Sequence, residues 1–131
     1  MNPKSKIERF EDLIVWQKAM VLAEEVYRIT KQGEFAKDWN LRNQVRKAAV
    51  SIPSNIAEGF GRYKKADFGR FLTIANGSAY EVRSQIQLAV RLDYLGPLEG
   101  KMVIDSCEEI SRMVTGLRKA VLKSSELSDK R

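Results

Sequence analysis

The 131-residue sequence predicts an all-α fold, an antiparallel, left-handed, up-down four-helix bundle in a single domain. Three observations carry that expectation. Apolar residues recur at alternating spacings of four and three in four successive segments, the connections between segments are short, and no stretch alternates with a period of two over strand length. A near-heptad seam drifts slowly around each helix, so neighbours pack side by side with a slight left-handed supercoil.

The first segment follows "RFEDL", whose acidic residues suit a helix N-terminus. Val15, Ala19, Leu22, Val26 and Ile29 form its seam, with Trp16, Met20, Ala23 and Tyr27 as a parallel stripe. Gly33 is the expected C-terminal stop, and "EFAKDWN" reads as a connection. The second segment carries Leu41, Val45, Ala48, Ile52, Ile56 and Phe60 near one face. Proline inside a helix removes a hydrogen bond and crowds the carbonyl four residues back. Because the apolar face continues past Pro53, the sequence predicts one long helix kinked there, with Ser51 and Ser54 hydroxyls serving the backbone groups left short of partners. The alternative is a boundary with Pro53 in the first turn of a new helix.

Gly59 and Gly61 bracket Phe60 and are expected to give a left-handed exit from that helix. The third segment buries Phe68, Leu72, Ala75, Ala79, Val82, Ile86 and Ala89 and closes at Gly96 and Pro97. Its small residues, Ala75, Gly77, Ser78 and Ala79, allow close approach by another backbone, either at a subunit contact or at an ordinary helix crossing. The fourth segment runs from about Leu98 towards Ser124 with Val103, Cys107, Ile110, Val114, Leu117 and Val121 as its seam. Residues 1–9 and 125–131 read as flexible tails.

Composition narrows the function. A single cysteine, Cys107, forms no intrachain disulfide, and the absence of histidine removes the commonest metal ligand and general base. Neither a signal-peptide core nor an apolar run of membrane-spanning length is present, so a cytoplasmic protein with no membrane role is expected. Glu58 and Glu81 are paired carboxylates only if buried together, and Asn55 and Glu58 more simply satisfy a neighbour or an arginine such as Arg46 or Arg70. "GFGR" lacks the Gly-Lys-Ser/Thr of a phosphate loop. The expectation is a protein that is not an enzyme and uses no metal or cofactor.

Charge is what remains. The chain carries a net charge of +6, and residues 42–70 hold seven cations against two anions. Arg42, Arg46, Lys47, Arg62, Lys64, Lys65 and Arg70, with Tyr63 as a stacking ring, are the predicted contacts for RNA or another nucleic acid. The competing reading is a protein–protein scaffold whose cations meet an acidic partner or merely solvate the bundle. A second basic excess lies in the C-terminal tail, whereas residues 95–116 are acidic.

"FEDLIVWQKAMVLAEEVY", "LRNQVRKAAVSIPSNIAEGFGR" and "FLTIANGSAYEV" together resemble the four-helix-bundle proteins encoded by intervening sequences in bacterial large-subunit ribosomal RNA genes. The likeness spans Phe10 to about Leu122. Leu13, Trp16 and Ala19 carry it in the first helix; Gln44, Arg46, Ser51, Ile52, Asn55, Ile56, Ala57, Glu58 and Gly59 carry it in the second. Ala75, Gly77, Ser78 and Glu81 carry it in the third. Ser51, Pro53, Asn55, Glu58, Gly59, Gly77, Ser78 and Glu81 are accordingly assigned a structural role. The resemblance implies a bundle that assembles into a homopentameric ring, with an RNA-binding role inferred from gene position. A more distant similarity, to the accessory variability protein of diversity-generating retroelements, implies a reverse transcriptase partner as the alternative.

Overall fold

The computed structural model of the chain describes residues 6–129. Among these residues there is no strand; a 3-10 turn at Phe10–Asp12 precedes five helices, α1 (Ile14–Ile29), α2 (Gly33–Lys37), α3 (Trp39–Phe60), α4 (Lys65–Arg91) and α5 (Pro97–Asp129). The four long helices follow the four periodic segments. One core joins them: Ala19, Val26, Ile29, Val45, Ile52, Ile56, Leu72, Val82, Ile86, Val103, Ile110 and Val114 are all buried. Each fully buried Val, Leu or Ile side chain among these contributes about 1.5–3 kcal/mol.

Parts of both predicted tails are among the described residues. The Asp12 carboxylate accepts the backbone amides of Glu8 at 3.0 Å and Arg9 at 3.2 Å, which pins the chain ahead of α1. At the other end α5 continues to Asp129, while residues 1–5 and 130–131 lie outside the described residues. In α1 the Val15–Ile29 seam is buried, but Met20 and Tyr27 of the parallel stripe are exposed.

Gly33 does not stop α1. That helix ends at Thr30, whose hydroxyl donates back to the Val26 carbonyl at 2.7 Å, and Gly33 opens α2 with φ +53°. The "EFAKDWN" connection therefore contains a helix of its own, anchored by fully buried Phe35 against the Tyr94 ring. Asp38 then caps α3, accepting the Leu41 amide at 3.1 Å and the Tyr94 hydroxyl at 2.9 Å.

These two hydrogen bonds, the backbone one first, hold the Asp38 carboxyl below its ordinary value of 3.8, and the same contact raises the Tyr94 phenol above 10.0. A carboxyl depressed on folding stabilises above its unfolded value and loses that contribution as pH falls through the folded value. A phenol raised on folding stabilises below its unfolded value and loses its contribution as pH rises through the folded one. Melting curves against pH are expected to show the wild type above Asp38→Asn at neutral pH, with the gap closing below about pH 3.8. A gap that persists there contradicts this account of the cap.

Helix α3 runs unbroken through Pro53, as the continuous apolar face requires. The hydroxyl roles expected of Ser51 and Ser54 fall elsewhere: the Asn55 amide donates to the Ser51 carbonyl at 2.8 Å and to its hydroxyl at 2.9 Å, while Ser54 is exposed. Gly61 is right-handed, with φ −75°, so the left-handed exit is absent. The reason for glycine is packing at Gly59, where a Cβ would lie 2.7 Å from the Cβ of Phe71 and 2.9 Å from the Phe68 ring. Of the small residues in α4, Ala75, Ser78 and Ala79 are buried at the crossing with α3, and Ser78 donates to the Ser51 hydroxyl at 2.8 Å. Gly77 faces open space. The stop of α4 also differs: the left-handed residue is Asp93, with φ 60°, and Pro97 begins α5.

Partners across neighbouring helices run in opposed order. Lys18 pairs with Glu109 at 3.2 Å and Arg28 with Glu99 at 2.8 Å, linking α1 to α5. Ser51 meets Ser78 and Gly59 meets Phe71 between α3 and α4, and Asn76 meets Ser111 and Gly69 meets Leu122 between α4 and α5. Cys107 sits in the α5 seam, and burial pushes its thiol up to about 12, so it behaves as a core residue.

Candidate nucleic-acid interface

The eight predicted contact residues divide into two groups. Arg42, Arg46 and Lys47 lie in the N-terminal half of α3; Arg62, Tyr63, Lys64, Lys65 and Arg70 surround the turn between α3 and α4. At a rise of 1.5 Å per residue, Arg42 and Arg62 are about 30 Å apart along one helix, so a single continuous basic surface over 42–70 does not form.

The turn is the denser group. Helix α3 ends at Phe60 because Gly61 and Arg62 fold back onto the Ala57 and Gly59 carbonyls, and α4 restarts at Lys65. Tyr63 between them is fully exposed, and Lys64 forms no ion pair among the described residues. Lys65 donates to the Ser124 hydroxyl on α5. Arg62 and Arg70 flank Phe71, each guanidinium lying over the ring, at 4.8 and 4.7 Å from its centroid. Each also meets one acid, Arg62 with Glu58 at 3.1 Å and Arg70 with Asp67 at 3.9 Å. These pairs are exposed and weak, so a phosphate competes for the same guanidinium groups. Both guanidinium groups rest on the Phe71 ring, which holds the two arginines near each other.

The cations of α3 are less free. Arg42 donates to the Ala36 carbonyl at 2.9 Å and lies over the Trp39 ring. Arg46 donates to the buried Thr30 hydroxyl at 2.7 Å and lies 4.6 Å over Tyr27, so its guanidinium closes the C-terminal end of α1. Lys47, one residue on and about 100° round the helix, lines the opposite groove towards α4. Arg46→Leu is therefore expected to cost about 1–2 kcal/mol in chemical denaturation, from one hydrogen bond and one cation–π contact. Its affinity for nucleic acid should be unchanged. A loss of affinity without a loss of stability would return Arg46 to the binding surface.

Glu58 and Glu81 do not meet. The register set by Ser51 with Ser78 and Gly59 with Phe71 puts the two carboxylates about 15 Å apart along the helices. Glu58 is occupied by Arg62 rather than by Arg46 or Arg70. Among the described residues no cluster of acids and cysteine has the geometry to hold a metal, and no helix is long and apolar enough to cross a membrane.

Two further surfaces were not anticipated. An almost wholly apolar groove of about 560 Å³ lies between α1 and α3, lined by Phe10, Trp16, Met20, Tyr27, Val50 and Pro53. The other is the stretch of α3 around Trp39, which is 69% exposed. Its signal in the sequence is "DWN", an aromatic residue directly after a capping aspartate and off the Leu41–Val45 face.

No curated protein matches this chain. Among solved structures, a protein of unknown function from the S23 ribosomal protein family of Bacteroides thetaiotaomicron VPI-5482 has the same fold, with a TM-score of 0.75 at 23% identity over 81% of this chain and 99% of that one. Residues 11–116 match the model of the 23S rRNA-intervening sequence protein family, and with four-fifths of its length inside that match the chain belongs to this family.

Proposed function

We propose that this protein is a non-enzymatic, cytoplasmic, up-down antiparallel bundle that assembles into a ring and binds RNA or another nucleic acid through the α3–α4 turn. The observation that carries the reading is the turn itself: Arg62 and Arg70 share the Phe71 ring, and Lys64, Lys65 and fully exposed Tyr63 lie between them in the chain at one end of two helices. Phosphates bind the cations, and the ring stacks on an unpaired base. The opposed order of the helix pairings supports the bundle topology.

Self-association draws support from the α1–α3 groove, whose apolar lining, with Phe10, Trp16, Met20 and Val50, is a surface that a second copy can cover. Val21, Leu98 and Met102, on α1 and α5, are exposed apolar residues outside that groove. A contact between two different surfaces of successive copies is head-to-tail, the kind of contact that closes into a ring. A ring repeats the basic turn in every subunit and multiplies a weak phosphate contact through effective concentration. The same groove favours the second reading, a scaffold that docks another protein such as a reverse transcriptase.

Lysine footprinting tests the interface. Bound nucleic acid should protect Lys64 and Lys65 from acetylation and leave Lys101, which is paired with Asp105 on acidic α5, unchanged. Equal protection of all three, or of none, overturns the assignment. Light scattering should give the mass of a closed oligomer, and a monomer at working concentration contradicts the ring.

A further inference from the structure

We propose that the groove between α3 and α4 is a second contact site, for unpaired nucleotides of single-stranded RNA, selecting a base that carries an exocyclic amine. This rests on the reading that the protein binds nucleic acid, and it assigns base recognition to a surface separate from the basic turn.

Two adjoining depressions make up the site, an outer one on the α3 surface and an inner one between α3 and α4. One, of about 280 Å³, is bordered by Trp39 and Asn43; the other, of about 290 Å³, by Ser51, Ser78, Glu81 and Gln85. Gln44 and Lys47 belong to both and make the two continuous. Trp39 stands at the first turn of α3 with most of its surface in solvent, and the Arg42 guanidinium lies 5.0 Å from its ring centroid. An indole fixed over one face by a guanidinium offers the other to a base. Lys47, without an ion pair among the described residues, lies about 12 Å further along the helix, where a phosphate joining stacked and inserted nucleotides would pass.

The inner depression presents acceptors. Gln85 Oε1 is buried without a hydrogen-bond partner, the one such side-chain atom among the described residues. An orphaned buried acceptor is uncommon because it has surrendered water for nothing, and a rotation of the Gln85 side chain, which lines the depression, lets a ligand donor restore the bond. The Glu81 carboxylate beside it forms no ion pair among the described residues. The Ser78 hydroxyl has already given its proton to Ser51. A carboxylate and an amide oxygen accept from the amine of cytosine, adenine or guanine, whereas uracil turns a carbonyl oxygen towards them.

Oligocytidylate and oligouridylate of equal length separate these cases, since the two bases differ at the amine position. By fluorescence anisotropy the wild type should bind oligocytidylate at least about fivefold more tightly. Trp39→Ala should weaken both single strands at least about fivefold and leave duplex DNA unaffected. Gln85→Leu and Glu81→Gln should each reduce the cytosine preference with an unaltered melting temperature or a higher one. Equal affinity of the wild type for the two oligomers, or no effect of Trp39→Ala, overturns the groove site. If Lys64→Gln/Lys65→Gln alone weakens binding, the turn stands and the groove falls; if the wild type binds neither single strand nor duplex at low salt, both fall. Should Trp39→Ala instead change the mass in light scattering and leave binding intact, the groove is a subunit contact and the inference is wrong.

Discussion

Phe35→Ala is expected to destabilise the protein by about 3–5 kcal/mol, the largest effect of any single substitution considered. The phenyl ring is fully buried although it sits on a helix of only five residues, far too short to persist unaided. It is the one buried residue of α2, and it packs 5.5 Å from the Tyr94 ring, centroid to centroid. Tyr94 in turn donates to Asp38, the cap of α3. Truncation leaves a cavity and removes the support behind that hydroxyl, so the connection and the start of α3 loosen together. Against a total stability of roughly 5–15 kcal/mol this is a substantial share. Urea denaturation reads the loss directly, and Phe35→Leu should recover more than half of it. A loss below about 1 kcal/mol would mean that α2 is not part of the core.

Replacing Arg62, Lys64 and Lys65 by glutamine together is expected to lower nucleic-acid affinity about a hundredfold per binding turn at low salt. The estimate takes roughly 1 kcal/mol for each cation meeting a phosphate in water. The loss should be uniform across sequences, because phosphate contacts position a ligand without reading it. Stability should fall by no more than about 1–2 kcal/mol, from the Arg62–Phe71 contact and the Lys65–Ser124 bond, since the Arg62–Glu58 pair is exposed and Lys64 lies at the N-cap of α4 without a side-chain bond there. Unchanged affinity with an intact melting temperature would move the interface away from the turn.

The helices themselves were legible because a seam such as Val45, Ala48, Ile52 and Ile56 needs only a local period to be seen. The reasons for particular residues were less so. Gly59 looks like a helix terminator from its neighbours in the chain, yet the contact that demands glycine comes from Phe71, twelve residues away across the crossing. Phe35 gives no periodic signal, since one aromatic residue between two breaks cannot establish a period. Asp93 turns the chain in the left-handed conformation ahead of the stop expected at Gly96 and Pro97, because the Tyr94 amide reaches back to the Ala89 carbonyl and fixes the turn earlier.

The basic residues show a similar division. Counting charges over 42–70 found the turn, whose residues are adjacent in sequence and remain adjacent in space. The same count also gathered Arg46 and Lys47, neighbours in the chain that diverge by about 100° on the helix, one towards Tyr27 and the other towards Ser78. A sum of charge carries no direction. Trp39, an exposed aromatic with no apolar partner on its helix face, belongs to no seam and escapes a reading built on seams.

The most direct test of the central claim is the affinity of the wild-type protein for duplex RNA measured over a series of salt concentrations. The account predicts that the logarithm of the association constant falls linearly with the logarithm of salt, with a slope that becomes shallower by about one for each turn cation removed. Affinity indifferent to salt, or no binding at the lowest concentration, would contradict it.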